Sequence, residues 1–309
     1  MPNPLLSRPG AVEAEGIDAG VAAHYGDPIR EQRALAADRA VVDLSHRPVV
    51  RITGPDRLSW LHSLATQHLE SLPVGVPSEA LILSPHGHVE HQLLLVDDGE
   101  TTWMHIEPST AEQLVAFLVS MRFLLRVDVS DVSDEWAVLA VPSSQDVAGL
   151  RRGDEVFVRR EAIDDIVDSV GLPLAGLWAY EALRVEARRP RLGFETDHRT
   201  IPHEVGWLDS AVHLNKGCYR GQETVARVHN LGRPPRRLVF LHLDGSVETL
   251  PPHCAAVEFD GRQVGFVTSS ARHHELGPIA LALIKRNIPD DAPLLAGGVA
   301  AAQEVVVPA

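Results

Sequence analysis

The chain is chemically most distinctive between residues 215 and 223, where it reads Asn215-Lys216-Gly217-Cys218-Tyr219-Arg220-Gly221-Gln222-Glu223. Lys216 is one of only two lysines in the 309 residues, and Cys218 is one of only two cysteines. An ammonium beside a thiol favours the reactive thiolate, and Gly217 and Gly221 allow a tight turn close to a ligand. The stretch therefore predicts a turn that faces a ligand, with Lys216 and Cys218 as its working groups.

A second interpretation of the cysteine is purely structural. Free cysteine behaves as a small hydrophobic residue, so Cys218 could occupy the turn only to pack. The stretch taken alone leaves both interpretations open.

Further recognisable segments accompany this stretch. Before it come a strand-and-helix pattern at 51–61, a Pro-x-Gly turn at 84–89, Leu183-Arg184-Val185-Glu186-Ala187, and Ile201-Pro202-His203-Glu204. After it comes Gly261-Arg262-Gln263-Val264-Gly265-Phe266-Val267-Thr268-Ser269. Together these segments cover roughly residues 25 to 290.

In this order the segments resemble the YgfZ-type folate-binding proteins, whose K-G-C-Y-x-G-Q-E signature matches residues 216–223 without a gap. Those proteins are relatives of the glycine-cleavage T-protein, and they act in iron–sulphur cluster assembly and in tRNA modifications that depend on such clusters. The resemblance implies an α+β, aminomethyltransferase-like fold with three domains in a ring, the last a small β-barrel. It also implies that tetrahydrofolate or a one-carbon derivative binds in the central hole.

Periodicity predicts a coarse order of elements that agrees with an α+β class. Helices are expected at 29–38, after Asp56, from the capping box at 109–112 to about Leu125, and at 174–187. From Arg236 onward the pattern is nearly all strand and turn, with hairpin signals at Asp244-Gly245 and Asp260-Gly261. These patterns predict a flexible segment at 1–24, an α+β region at 25–232 and a C-terminal domain of strands and turns at 233–309. The resemblance implies that the α+β region has two parts and binds folate, and that the C-terminal domain is a small β-barrel.

Composition narrows the possible partners and the compartment. The formal charge of −14 would repel a polyanion, so no direct contact with nucleic acid is expected. No apolar run approaches the length of a membrane span, and no secretory segment is recognisable at the start, so a cytoplasmic protein is expected. Two cysteines fit a reducing compartment and cannot ligate a cluster alone. No spacing of His and Cys predicts a metal site.

Candidate ligand contacts lie on the predicted helix at 174–187 and after the signature. Glu186 resembles the family's pterin-contacting acid, and Tyr180 or Trp178 could stack on the pterin ring. Arg227 and Arg237 could hold the carboxylates of a folate tail. The alternatives are ordinary surface pairing, such as Glu181 with an arginine one turn later, and solvated surface arginines.

The sequence leaves open whether the protein is a catalyst, because two positions differ from those of the aminomethyltransferase relatives. In the aminomethyltransferase relatives, the strand after the Pro-x-Gly turn carries adjacent aspartates, one of which acts on the folate. Here the nearest positions hold His91 and Gln92, which do not reproduce that charge. Glu90 replaces it only if the strand register slips by one residue.

Two functional hypotheses follow. The first is a tetrahydrofolate-binding accessory factor for iron–sulphur cluster assembly or repair, which meets client or assembly proteins transiently and uses Lys216 and Cys218. The second is a tetrahydrofolate-dependent aminomethyltransferase or demethylase that acts on a small amine, with Glu90 or Glu186 as the acid. A third and weaker possibility is a fold that binds no folate.

Overall fold

The computed structural model describes residues 3–246 and 248–307. The chain divides into two compact units. The first comprises Met1–Ile82, His91–Tyr180 and Lys216–Tyr219, and the second comprises Leu83–Glu90, Glu181–Asn215 and Arg220–Ala309. The segment at 216–219 therefore packs with the first unit, although the sequence on either side of it packs with the second.

The elements follow one another along the chain with these bounds. The strands are β1 (Val12–Glu13), β2 (Ala22–His24), β3 (Val41–Asp43), β4 (Val49–Thr53), β5 (Ser78–Leu83), β6 (Val89–Asp97), β7 (Thr101–His105), β8 (Asp128–Asp131), β9 (Trp136–Ala140), β10 (Leu150–Arg152), β11 (Glu155–Arg159), β12 (Leu174–Ala175), β13 (Arg236–Leu243), β14 (Ala256–Phe259), β15 (Arg262–His273), β16 (Gly277–Lys285), β17 (Leu294–Ala296) and β18 (Val299–Val305). The helices are α1 (Pro28–Ala36), α2 (Arg57–Leu64), α3 (Ala111–Ser120), α4 (Ile163–Val170), α5 (Leu177–Glu186), α6 (Trp207–Ala211) and α7 (Gln222–Leu231).

Two five-stranded sheets form the body of the first unit, in the orders β5-β6-β7-β4-β8 and β10-β11-β9-β3-β12. Alternate residues of the first sheet, such as Ile52 and Leu93, pack with Trp60 of α2 and Leu114 of α3. The opposite face of that sheet packs with the second sheet in another cluster, whose members include Val49, Val96, Trp103, Val42, Val138 and Phe157. The first sheet is therefore buried on both faces over its central strands.

A closed barrel in the order β13-β16-β15-β14-β17-β18 ends the second unit. Val239 and Leu241 of β13 point into the barrel core. Leu238 and Phe240 point the other way and pack with Ala182 of α5, among other residues. This alternation of two apolar faces explains why β13 reads as a continuous hydrophobic run. The predicted C-terminal β-barrel and the α+β, aminomethyltransferase-like class are confirmed.

Two predicted helix boundaries need correction. The helix expected to reach Leu125 ends at Ser120, because Phe123 has a φ of 44° and the indole of Trp60 donates to the carbonyl of Met121 at 3.1 Å. The helix expected from 174 begins at Leu177, since the two residues of β12 pair with β3 instead.

The two hairpin signals had different outcomes. Asp260-Gly261 is confirmed, since these residues join β14 to β15 and have φ values of 50° and 68°. Asp244-Gly245 does not form a hairpin, because the next strand, β14, begins only at Ala256 and pairs with β15 and β17 rather than with β13.

The N-terminal segment carries contacts that the composition did not anticipate. Leu5 and Val21 are fully buried, and β1 pairs with β2. The amide of Asn3 donates to Asp43 at 2.6 Å and to the carbonyl of Gly20 at 2.7 Å. These contacts tie the start of the chain to β3. Within residues 3–246 and 248–307, no helix is long and apolar enough to cross a membrane.

Candidate functional site

Lys216 is held inside the first unit rather than at its surface. Its side chain is 7% exposed, and its ammonium donates to the carbonyls of His62, Ala65 at 2.6 Å and Gln67 at 3.0 Å. The ring of Tyr219 lies 5.2 Å from the same nitrogen. Burial lowers the pKa of Lys216 to about 8 and raises that of Tyr219 to about 12.

Cys218 is exposed and free, and so is Cys254. A β-carbon added at Gly217 would meet nothing within 4 Å. Cys218 thus stands in open surroundings between Lys216 and Tyr219, both of which are buried. The exposed position does not fit a cysteine that serves only to pack.

The second glycine of the signature lies against the Pro-x-Gly turn. Gly221 has a φ of 82°, and a β-carbon there would stand 2.6 Å from the carbonyl oxygen of Ser84 and 2.9 Å from the Cα of Gly87. A β-carbon on Gly87 would in turn stand 2.6 Å from the Cβ of Thr224. Both glycines are needed for this close approach, and Gly221 is the N-cap of α7, whose first residues are Gln222 and Glu223.

The strand β6 carries two carboxylate contacts near its start. Glu90 accepts a hydrogen bond from Arg220 of the signature at 3.0 Å, so its charge is paired. Gln92, which is buried, donates from its amide to the carboxylate of Glu79 on β5 at 2.6 Å. This donor is neutral, so the contact does not pair Glu79 with a positive charge. Glu79 is not among the residues that the sequence predicts for the site. The signal that could have found it is the Pro-x-Gly turn, since such a turn places the strands before and after it side by side.

The predicted pterin contacts on α5 fall in two different units. Trp178 and Tyr180 belong to the first unit, where Trp178 is 57% exposed with its ring 4.9 Å from His24. The ring of Tyr180 lies 5.6 Å from the guanidinium of Arg47. Glu186 belongs to the second unit, where it is half-exposed and lies 3.4 Å from the imidazole of His273.

The arginines after the signature have different surroundings. Arg227 is exposed on α7, and no described residue pairs with its side chain. Arg237 is fully buried: its guanidinium donates to the carbonyl of Ile288 at 2.9 Å and pairs with Asp290 at 2.7 Å. Of the two, Arg227 is the one open to a ligand.

Arg236 joins two acids of the second unit. Its guanidinium contacts Asp197 at 2.6 Å and Glu204 at 2.8 Å. Burial opposes ionisation of Asp197, but hydrogen bonds from Arg236, from the backbone of Arg199 and from Thr200, together with the charge of Arg236, outweigh it and hold the pKa of Asp197 well below its usual range. Next to Glu204, His203 is 7% exposed, and neither ring nitrogen has a hydrogen-bond partner among the described residues. Burial, with a smaller effect from His229, lowers the pKa of His203 to about 4.

No group of three His, Cys, Asp or Glu side chains in the described parts of the chain is arranged to hold a metal ion. The chemistry available here is that of an exposed thiol, a carboxylate held by an amide, and exposed aromatic and guanidinium groups.

Family models match both ends of the chain. The model of the GCVT N-terminal domain matches residues 12–152, and the model of the glycine cleavage T-protein C-terminal barrel domain matches residues 236–308. A glycine cleavage system aminomethyltransferase T from Bartonella henselae has a similar structure, with a TM-score of 0.82 over 98% of this chain and 95% of that chain, at 17% identity. This chain thus has the aminomethyltransferase-like fold and carries both domains of the glycine cleavage T-protein.

Curated relatives are about a quarter identical to this chain in sequence. An aminomethyltransferase of Rippkaea orientalis is 26% identical over 84% of this chain and 81% of its own length. An aminomethyltransferase of Bacillus subtilis is 25% identical over 82% of each. A protein of Arabidopsis thaliana named as a chloroplastic transferase is 25% identical over 74% of this chain, which spans 61% of that relative's length.

Proposed function

We propose that the protein binds tetrahydrofolate and transfers a one-carbon unit between the folate and a small amine, as an aminomethyltransferase-type enzyme. The main support is that the models of both T-protein domains match the chain. In addition, several curated relatives that are similar over most of the chain are named aminomethyltransferases. From the sequence alone this hypothesis is the second of two, because His91 and Gln92 do not reproduce the charge of the relatives' aspartates.

The pairing of Glu79 with Gln92 answers that objection. One-carbon transfer between nitrogens requires a proton to move to the departing amine, and a positive charge develops on the carbon as it moves. A carboxylate held by a neutral amide can stabilise that positive charge, and it can take the proton that the attacking nitrogen loses and then pass it to the departing amine. Glu79 meets this description, whereas Glu90 is paired with Arg220.

Calorimetric titration with tetrahydrofolate, followed by assay of one-carbon transfer from a panel of small N-methyl and aminomethyl amines, tests the proposal. We expect saturable binding and folate-dependent release of the amine product. A flat titration would overturn the proposal and favour a fold that binds no folate. Binding without turnover of any amine would favour the accessory function described next.

The exposed thiol of Cys218 supports a second candidate function, because an enzyme that moves a carbon between nitrogens has no evident use for it. In this alternative the protein is a YgfZ-type factor that binds folate and supports iron–sulphur cluster assembly or repair, and thereby tRNA-modifying enzymes. Deleting the gene and assaying cluster-containing enzymes separates the two. The transferase predicts intact cluster enzymes and loss of amine turnover, and the accessory factor predicts the reverse.

A further inference from the structure

We propose that Lys216 is a positioning residue whose ammonium fills a cage of three main-chain carbonyls and so fixes the direction in which Cys218 is presented. The proposal concerns the signature at 216–223, and it rests on the proposed function only in assuming that Cys218 takes part in it. Its geometric part stands without any folate chemistry.

The cage is built from the end of α2 and the residues that follow it. His62 lies in the last turn, Ala65 is the C-cap, and Gln67 follows two residues later. Carbonyls at a helix C-terminus lack intrahelical partners and carry the negative end of the helix dipole. An ammonium is a suitable partner for them, since it has three N–H donors and no acceptor. Here the three donors meet three carbonyl oxygens.

The cage is fixed independently of Lys216. Thr66, between two of the cage residues, is fully buried, and its backbone N–H donates to the carbonyl of Leu81 at 3.0 Å. The hydroxyl of Thr66 accepts a hydrogen bond from the backbone N–H of Leu81 at 2.9 Å. These bonds tie the cage to β5, so the carbonyls remain in place as a preformed site for a cation.

The burial pattern around the signature shows what this anchor does. Residues 213–215 are exposed, Lys216 is buried, Gly217 and Cys218 are exposed, and Tyr219 is buried. The stretch is therefore buried at Lys216 and at Tyr219 and leaves the thiol of Cys218 exposed between them. With its donors taken up by carbonyls, the ammonium acts on Cys218 through the backbone rather than by a hydrogen bond to the sulphur.

Chemical rescue tests the cage directly. In a Cys254→Ser background, which leaves Cys218 as the only thiol, the rate of reaction with a chromogenic aromatic disulfide is followed in wild type and in Lys216→Ala. Loss of the Lys216 side chain should change the rate of this thiol reaction by about tenfold, which corresponds to roughly 1.4 kcal/mol. Propylammonium replaces the atoms that were removed and should restore the wild-type rate. Tetramethylammonium, which has the charge but no N–H donor, should not.

Two outcomes would overturn the proposal: an unchanged rate in Lys216→Ala, and equal restoration by both cations, which would indicate a simple charge effect on the thiol. A second measurement uses the intact protein and so does not depend on whether Lys216→Ala folds. Nitrogen-15 NMR of wild type should show the Lys216 ammonium protons in slow exchange with water, as three internal hydrogen bonds require. Fast exchange there would reject the cage, whatever the variants or folate titrations show.

Discussion

Gln92 donates a hydrogen bond of 2.6 Å to the carboxylate of Glu79, and this pair joins the two strands of the hairpin that ends in the Pro-x-Gly turn. A buried amide here orients a carboxylate without neutralising it. His91 and Gln92 stand at the positions of β6 where the resemblance implies aspartates. The neighbouring strand β5 carries the carboxylate of Glu79 instead.

Replacing Glu79 by Gln should lower one-carbon transfer by about 100-fold or more, in the range expected for losing a positioned acid or base. The change keeps the shape of the side chain and removes its charge, so the dissociation constant for tetrahydrofolate should change much less than turnover. Glu90→Gln is the matched control, because the charge of Glu90 is already paired with Arg220. Wild-type turnover in Glu79→Gln would place the acid elsewhere.

Cys218→Ala should leave both stability and folate affinity unchanged, because the thiol is exposed. If the protein is a cluster accessory factor, this variant should lose the ability to support cluster enzymes in cells. If it is a transferase, amine turnover should survive. The free energy of unfolding, the folate dissociation constant and the two activities are measured on the same variant, and a loss of stability would instead indicate a packing role.

Gly221→Ala should destabilise the protein by on the order of 2 kcal/mol or more, because it combines a left-handed φ with a severe contact. The new β-carbon would stand 2.6 Å from the carbonyl oxygen of Ser84. Gly217→Ala, in the same signature, has open space and should change the unfolding free energy by less than about 0.5 kcal/mol. Urea unfolding of both variants makes the comparison, and equal effects would contradict this account of the turn.

Arg227→Ala should weaken tetrahydrofolate binding by about 1 to 3 kcal/mol if its guanidinium holds the folate carboxylates, with no change in stability. Arg237→Ala should instead lower stability, because it leaves Asp290 without its buried partner and opens a space in the barrel. Calorimetry and thermal unfolding of the two variants separate these roles. Weaker folate binding in Arg237→Ala at unchanged stability would support a ligand contact for that residue.

Stability should fall as pH drops from about 6.5 to about 4 because of His203, whose folded-state pKa is about 4. In that window the unfolded imidazole binds a proton and the folded one does not, so protonation favours unfolding. His203→Leu should remove a stability change on the order of 3 kcal/mol across this window, whereas His229→Gln, at an exposed position, should leave most of it. Denaturant unfolding at several pH values is the measurement, and identical slopes in wild type and His203→Leu would refute it.

The class of fold could be inferred from the sequence because its signals are local. The hydrophobic run along β13, the turn at Asp260-Gly261 and the glycines of the signature each depend on residues close together in the chain. A hydrophobic period or a left-handed turn position is visible in a few consecutive letters. The end of α3 was predicted wrongly, because it depends on the left-handed conformation of Phe123 and on a contact with Trp60, which is far away in sequence.

The chemistry of the site depends on residues far apart in sequence. The amino-acid order alone shows that a rare lysine and a rare cysteine stand two positions apart in a glycine turn, within a chain of the aminomethyltransferase type. That Lys216 binds the carbonyl of His62, 154 positions earlier, while Cys218 faces solvent, is visible only in the folded chain. A carbonyl carries no side-chain identity that a pattern could reveal, so a partner of this kind becomes visible only when the backbone is folded around it.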